Sequence, residues 1–83
     1  MSSKGCIPLN DIFKMLEECA PGHTRKSGDH YWVIIFHGEI YYDLPKGEHG
    51  AKNPDIQIGH IKKLIRRLQI EDCAKKYLPI LSN

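Results

Sequence analysis

Apolar residues crowd most densely between positions 30 and 44 (HYWVIIFHGEIYYDL), and their pattern predicts one β-hairpin. β-Branched and aromatic side chains fill both arms, and His37-Gly38 supplies a two-residue turn between them. That turn sets Phe36 opposite Glu39, Ile35 opposite Ile40 and Ile34 opposite Tyr41. Continued outward, it sets Val33 opposite Tyr42, Trp32 opposite Asp43 and Tyr31 opposite Leu44. Because side chains alternate across a strand, the register sorts them into two faces. Tyr31, Val33, Ile35, Ile40, Tyr42 and Leu44 form a nearly wholly apolar face, predicted to lie on the core. His30, Trp32, Ile34, Phe36, Glu39, Tyr41 and Asp43 form a mixed face, predicted to meet water. A slip of one residue exchanges the two sets.

Helical periodicity flanks the hairpin. Leu9, Ile12, Phe13 and Leu16 predict a first helix from about Pro8 to Cys19, with Asn10 as its cap and Pro21-Gly22 as its stop. Residues 1–6 read as a flexible arm. His23 to Ser27 reads as a strand, because Gly28-Asp29 then turns the chain straight into the hairpin. Residues 46–54 (KGEHGAKNP) form a loop by composition. Beyond it, Asp55 is placed to cap a second helix from about Gln57 to Gln69. Ile58, Ile61, Leu64, Ile65 and Leu68 make its inner stripe, with Lys62, Lys63, Arg66 and Arg67 outside. Glu71 to Tyr77 predicts a short third helix ended by Pro79, so 70–81 forms a C-terminal helical tail. The order is α-β-β-β-α plus that tail. It predicts one α+β domain over 1–83, with a three-stranded antiparallel sheet, helices on one face and the other face open.

Composition narrows the class. The chain has 83 residues, 41% hydrophobic and 27% charged, as soluble domains do. No apolar run approaches the ~20 residues that cross a bilayer, and no signal-peptide h-region opens the chain, so no membrane partner and a cytoplasmic location are expected. The net charge of +2 is small, but residues 46–67 hold six basic side chains against Glu48 and Asp55 alone. That asymmetry predicts a basic patch, although a solvated helix face gives the same count. Cys6, Cys19 and Cys73 are odd in number, widely spaced and without a Cys-x-x-Cys pair. They read as reduced thiols, and neither metal nor cofactor is expected.

At this point the residues resemble a known family. Ser27-Gly28-Asp29-His30, at a turn entering an aromatic strand, is similar to the Gly-Ser-His signature of HicA-family (YcfA-like) toxins. Leu44-Pro45 ends the third strand as that family's Val-Pro does. The stretch from Ile56 to Ile65 (IQIGHIKKLI) resembles the family's glycine-led second helix, and Glu71 to Leu81 its short C-terminal helix. The likeness runs from about Ile7 to Leu81. It implies a double-stranded-RNA-binding-domain-like fold, ribosome-independent cleavage of mRNA, and neutralisation by a HicB-type antitoxin. The family's functional histidine falls on His30. Four departures stand out. Asp29 replaces the usual serine, and Tyr31 a common second histidine. The loop after Pro45 is longer, which shifts His49, and His60 replaces a common threonine.

Metal-free RNA cleavage needs a group that takes the 2′-hydroxyl proton, one that protonates the departing 5′-oxygen, and cations for the phosphorane. Histidine serves either proton transfer because its ordinary pKa lies near neutrality. His30 is therefore the candidate catalytic residue, with His49 and His60 as candidate second proton-transfer groups. Lys26, Lys46 and Lys52 are candidate phosphate ligands, and Gly28, in the turn, is a candidate RNA-binding residue. Trp32 and Tyr41 are placed to stack bases, and Asp43, diagonal to His30, to orient its ring. Lys62 and Lys63 resemble the phosphate clamp of duplex-RNA binders. Each has a plainer role: half-exposed polar residue, packing aromatic or solubilising charge. The alternative function is a non-catalytic RNA-binding or protein-interaction module of the same fold.

Overall fold

The computed structural model of the protein describes residues 5–47 and 52–82. Strand β1 (Cys6–Pro8) leads directly into helix α1 (Leu9–Cys19). Strands β2 (Thr24–Ser27), β3 (Tyr31–Phe36) and β4 (Glu39–Pro45) follow. Strand β5 (Asp55–Gln57) then leads directly into helix α2 (Ile58–Arg67). Helix α3 (Glu71–Tyr77) and a 3₁₀ turn over Pro79–Ser82 complete the described chain. The result is a small α+β domain whose three-stranded antiparallel sheet, in the order β2-β3-β4, is flanked by helices. No described helix is long and apolar enough to cross a membrane.

A second, two-stranded sheet was not expected. β1 and β5 pair antiparallel through Ile7 and Ile56, both buried. The pairing replaces part of the expected arm and ties together the starts of α1 and α2. It also corrects both helix caps. Asn10 lies inside α1, where its N–H donates to Asn53 Oδ1 at 2.8 Å, and the Leu9 N–H donates to the Pro54 carbonyl at 2.8 Å. Asp55 sits in β5 rather than at the head of α2. A helix start leaves its first N–H groups without internal acceptors, and here Asn53 and Pro54 accept from two of them.

The hairpin keeps the expected register near its turn, with Ile34 opposite Tyr41, Ile35 opposite Ile40 and Phe36 opposite Glu39. His37 and Gly38 both take positive φ, 51° and 82°, as a two-residue turn of this hand requires. Beyond it, Val33 alone faces both Tyr42 and Asp43, and Trp32 pairs with Leu44 rather than Asp43. This one-residue bulge moves Leu44 onto the same face as Trp32 and Ile34.

The expected faces are also reversed. Leu44 is buried as expected, but Ile34 and Tyr41 of the other set are buried with it, and Trp32 and Phe36 pack against the core. Tyr31, Ile40 and Tyr42 are instead 47%, 40% and 61% exposed. Counting apolar residues favoured the Val/Ile-rich face, but the large rings reach across to the helices. Trp32 meets Phe13 of α1 edge-on at 5.2 Å, and the Tyr41 hydroxyl donates to the His60 carbonyl of α2 at 3.4 Å.

The thiols are a further correction. Cys19 at the end of α1 and Cys73 in α3 form a disulfide, with their Cα atoms 5.5 Å apart, while Cys6 is free. Their 54-residue separation hides a pair that only the packing of α3 on α1 creates.

Candidate nucleic-acid interface

The site is built on the turn between β2 and β3. The Gly28 N–H donates to the Tyr31 carbonyl at 2.9 Å, closing the chain over Asp29 and His30. A Cβ on Gly28 would lie 2.8 Å from that carbonyl oxygen, so the tightness of the turn demands glycine there. Lys46, just past β4, secures the turn from the opposite strand end. Its N–H donates to the His30 carbonyl at 3.2 Å. Its ammonium donates to Ser27 Oγ at 2.6 Å and to the Gly28 carbonyl at 2.8 Å. The same ammonium lies 5.3 Å from the centroid of the Trp32 ring. Trp32 is backed in turn by Phe13, which carries the Arg25 guanidinium on its ring at 4.3 Å. Arg25 pairs with Glu17 at 3.3 Å. His30 and Asp29 remain exposed on this supported turn.

The open side of the sheet differs from the expected one in its side chains. Lys26 faces Val33 and Thr24 faces Ile35, so alternation puts both with Tyr31, Ile40 and Tyr42 on the outer surface. Two tyrosine rings, a strip of aliphatic residues and one exposed lysine therefore line it. Trp32 and Tyr41, the expected stacking rings, belong to the core side.

On the other flank, β4 and α2 frame a shallow groove of about 540 Å³, lined by Glu39, Tyr41, Asp43, Lys63, Arg66 and Arg67. Burial pushes the Tyr41 hydroxyl above its ordinary pKa of 10.0, and the neighbouring Asp43 carboxylate pushes it further in the same direction. Asp43 thus acts on Tyr41 in this groove, and not across from Trp32 as the expected register placed it. Arg66 also approaches Glu71 at 3.9 Å.

The expected site residues therefore divide. His30, Gly28, Lys46 and Trp32 come together at the β2–β3 turn, and Lys26 lies on the adjoining strand. Lys63 and Tyr41 meet in the groove. His60 and Lys62 are half-buried on α2, and Lys52 is exposed in the loop before β5. His49 lies outside the described residues. Sequence reasoning missed Ser27 as the acceptor for Lys46, although it stood inside the quoted motif. It also missed Tyr31 and Tyr42 as the exposed rings, because the bulge and the face of the sheet were not legible. Among the described residues, no group of three histidine, cysteine or acidic side chains is gathered to hold a metal.

Fold and site together define a small α+β domain that presents a histidine on a braced turn beside an open sheet. The chain matches no family model, no curated protein and no solved structure.

Proposed function

We propose that the protein is a HicA-like endoribonuclease with a double-stranded-RNA-binding-domain-like fold, and that His30 performs a proton transfer in metal-independent cleavage of mRNA. One observation carries the reading: His30 is an exposed histidine on a turn braced by four hydrogen bonds, at the corner of an open sheet face. General acid/base work needs such a ring within reach of substrate and on a rigid support. In the reaction, the ribose 2′-oxygen attacks the adjacent phosphorus and the bond to the 5′-oxygen breaks. The products are a 2′,3′-cyclic phosphate and a 5′-hydroxyl. His30 takes the 2′-hydroxyl proton or delivers one to the departing oxygen. The outer face gives bases Tyr31 and Tyr42 to stack on, with Lys26 for a phosphate. Lys63, Arg66 and Arg67 add positive charge along α2. A HicB-type antitoxin is the proposed protein partner, and the cytoplasm the proposed location.

A second reading, a non-catalytic RNA-binding module, is favoured by a separate observation. Among the described residues, the His30 ring has no hydrogen-bond or ion-pair partner to orient it. The two readings part on the products. Incubated with a long mRNA in EDTA, the nuclease leaves fragments ending in 2′,3′-cyclic phosphate and 5′-hydroxyl. The binding module shifts the RNA in a gel and leaves it intact.

A further inference from the structure

We propose that Lys46 is a positioning residue that holds the His30 turn, and that it does not serve as a phosphate ligand. The inference rests on the RNA-cleavage reading above and deepens that same site. An ammonium group has three N–H donors. Two of those on Lys46 are directed at the Ser27 hydroxyl, 2.6 Å away, and the Gly28 carbonyl, 2.8 Å away. The charge is also set over the indole of Trp32, at 5.3 Å from its centroid. The backbone of the same residue reaches the far end of the turn, donating from its N–H to the His30 carbonyl. Lys46 therefore grips the turn at Ser27, Gly28 and His30, from a strand end two strands away.

A phosphate drawn to this ammonium finds only its third N–H open, because the other two are held by a hydroxyl and a carbonyl. Lys26 offers the contrast. It is exposed on β2 and, among the described residues, has no hydrogen-bond or ion-pair partner. The turn itself leaves little slack, since Gly28 has no room for a Cβ against Tyr31. Releasing its Ser27–Gly28 half shifts the His30 backbone, and a displacement of about 1 Å at a reacting group costs on the order of 100-fold in rate.

The test compares Lys46→Met and Lys26→Met with wild type, using a long single-stranded RNA in EDTA. For Lys46→Met the expected result is a kcat lowered roughly 10- to 100-fold, with KM unchanged. Its plot of log affinity against log salt keeps the wild-type slope, whereas Lys26→Met flattens that slope by about 0.7, one phosphate contact on a single strand. A second readout does not depend on activity: the Gly28 amide, measured by NMR hydrogen exchange, exchanges faster in Lys46→Met. A flattened salt slope with an unchanged kcat in Lys46→Met overturns the proposal and makes Lys46 a phosphate ligand. An unchanged Gly28 exchange rate overturns it too. If wild type does not cleave, the nuclease reading fails alone, and Gly28 exchange still decides whether Lys46 holds the turn.

Discussion

Ile34 and Ile40 sit in the same hairpin, yet truncating them to alanine is expected to cost unequal amounts of stability. Ile34 is completely buried, whereas Ile40 is 40% exposed on the outer face. Each substitution removes the equivalent of three methylenes, or about 2.4 kcal/mol of transfer free energy for a side chain wholly out of water. Ile34→Ala also leaves a cavity between the sheet and the helices, bringing its cost to about 3–4 kcal/mol. At Ile40 the transfer loss falls to about 1.4 kcal/mol, because part of the side chain already meets water and no enclosed cavity forms. Both changes replace isoleucine by alanine in a strand, so the loss of β-propensity is shared and the difference of about 2 kcal/mol isolates burial. For a domain of this size, that difference separates the two melting temperatures by roughly 8–16 °C. Thermal unfolding followed by circular dichroism reads it directly. Equal losses, or a larger loss at Ile40, would mean that the hairpin presents its other face to the helices.

Tyr41 has a folded pKa above its unfolded one, so the native state holds its proton more tightly. That stabilisation is complete below pH 10 and is lost as pH rises from there through the raised value. The tyrosinate absorbance of Tyr41, isolated as wild type minus Tyr41→Phe, should rise above pH 10; a midpoint at or below 10 refutes this. Reducing Cys19–Cys73 opens a loop spanning 54 residues, a constraint worth about 4 kcal/mol in the chain-entropy account. Melting should fall by roughly 15 °C or more in reductant, and an unchanged midpoint with three titratable thiols sinks the claim. Tyr31→Leu with Tyr42→Leu should weaken single-stranded RNA binding by about 2–6 kcal/mol, read by fluorescence anisotropy. Unaltered affinity removes the outer face from the interface.

Much of the fold was legible because it is written in local pattern. The 3.6-residue period of Leu9, Ile12, Phe13 and Leu16 placed α1 to within a residue, and His37-Gly38 placed the hairpin turn. Glu71 and Pro79 bracketed α3. What escaped depends on long-range packing. Three-residue strands such as β1 and β5 carry no period, and Cys6–Pro8 reads as a strand only once Asp55–Gln57 lies beside it. The bulge at Tyr42-Asp43 inserts one residue with no glycine to mark it, and so it redirected Leu44 unseen. The sheet's inner face was decided by the reach of Trp32 and Tyr41 to α1 and α2, which alternation alone does not reveal. At the site, the turn and its exposed histidine were legible from Ser27-Gly28-Asp29-His30. The role of Lys46 was not, because it lies 16 positions beyond His30 in the chain and reaches the turn only through the β3–β4 pairing.

Whether His30 carries the chemistry is decided by single-turnover cleavage of a long mRNA in EDTA. Wild type and His30→Ala are compared at saturating protein, with folding checked by circular dichroism and RNA affinity by gel shift. Wild type is expected to cut, while His30→Ala folds, binds with unchanged affinity and loses roughly 100-fold or more in rate, the contribution expected of a positioned acid or base. Equal cleavage by the two proteins would remove His30 from the chemistry.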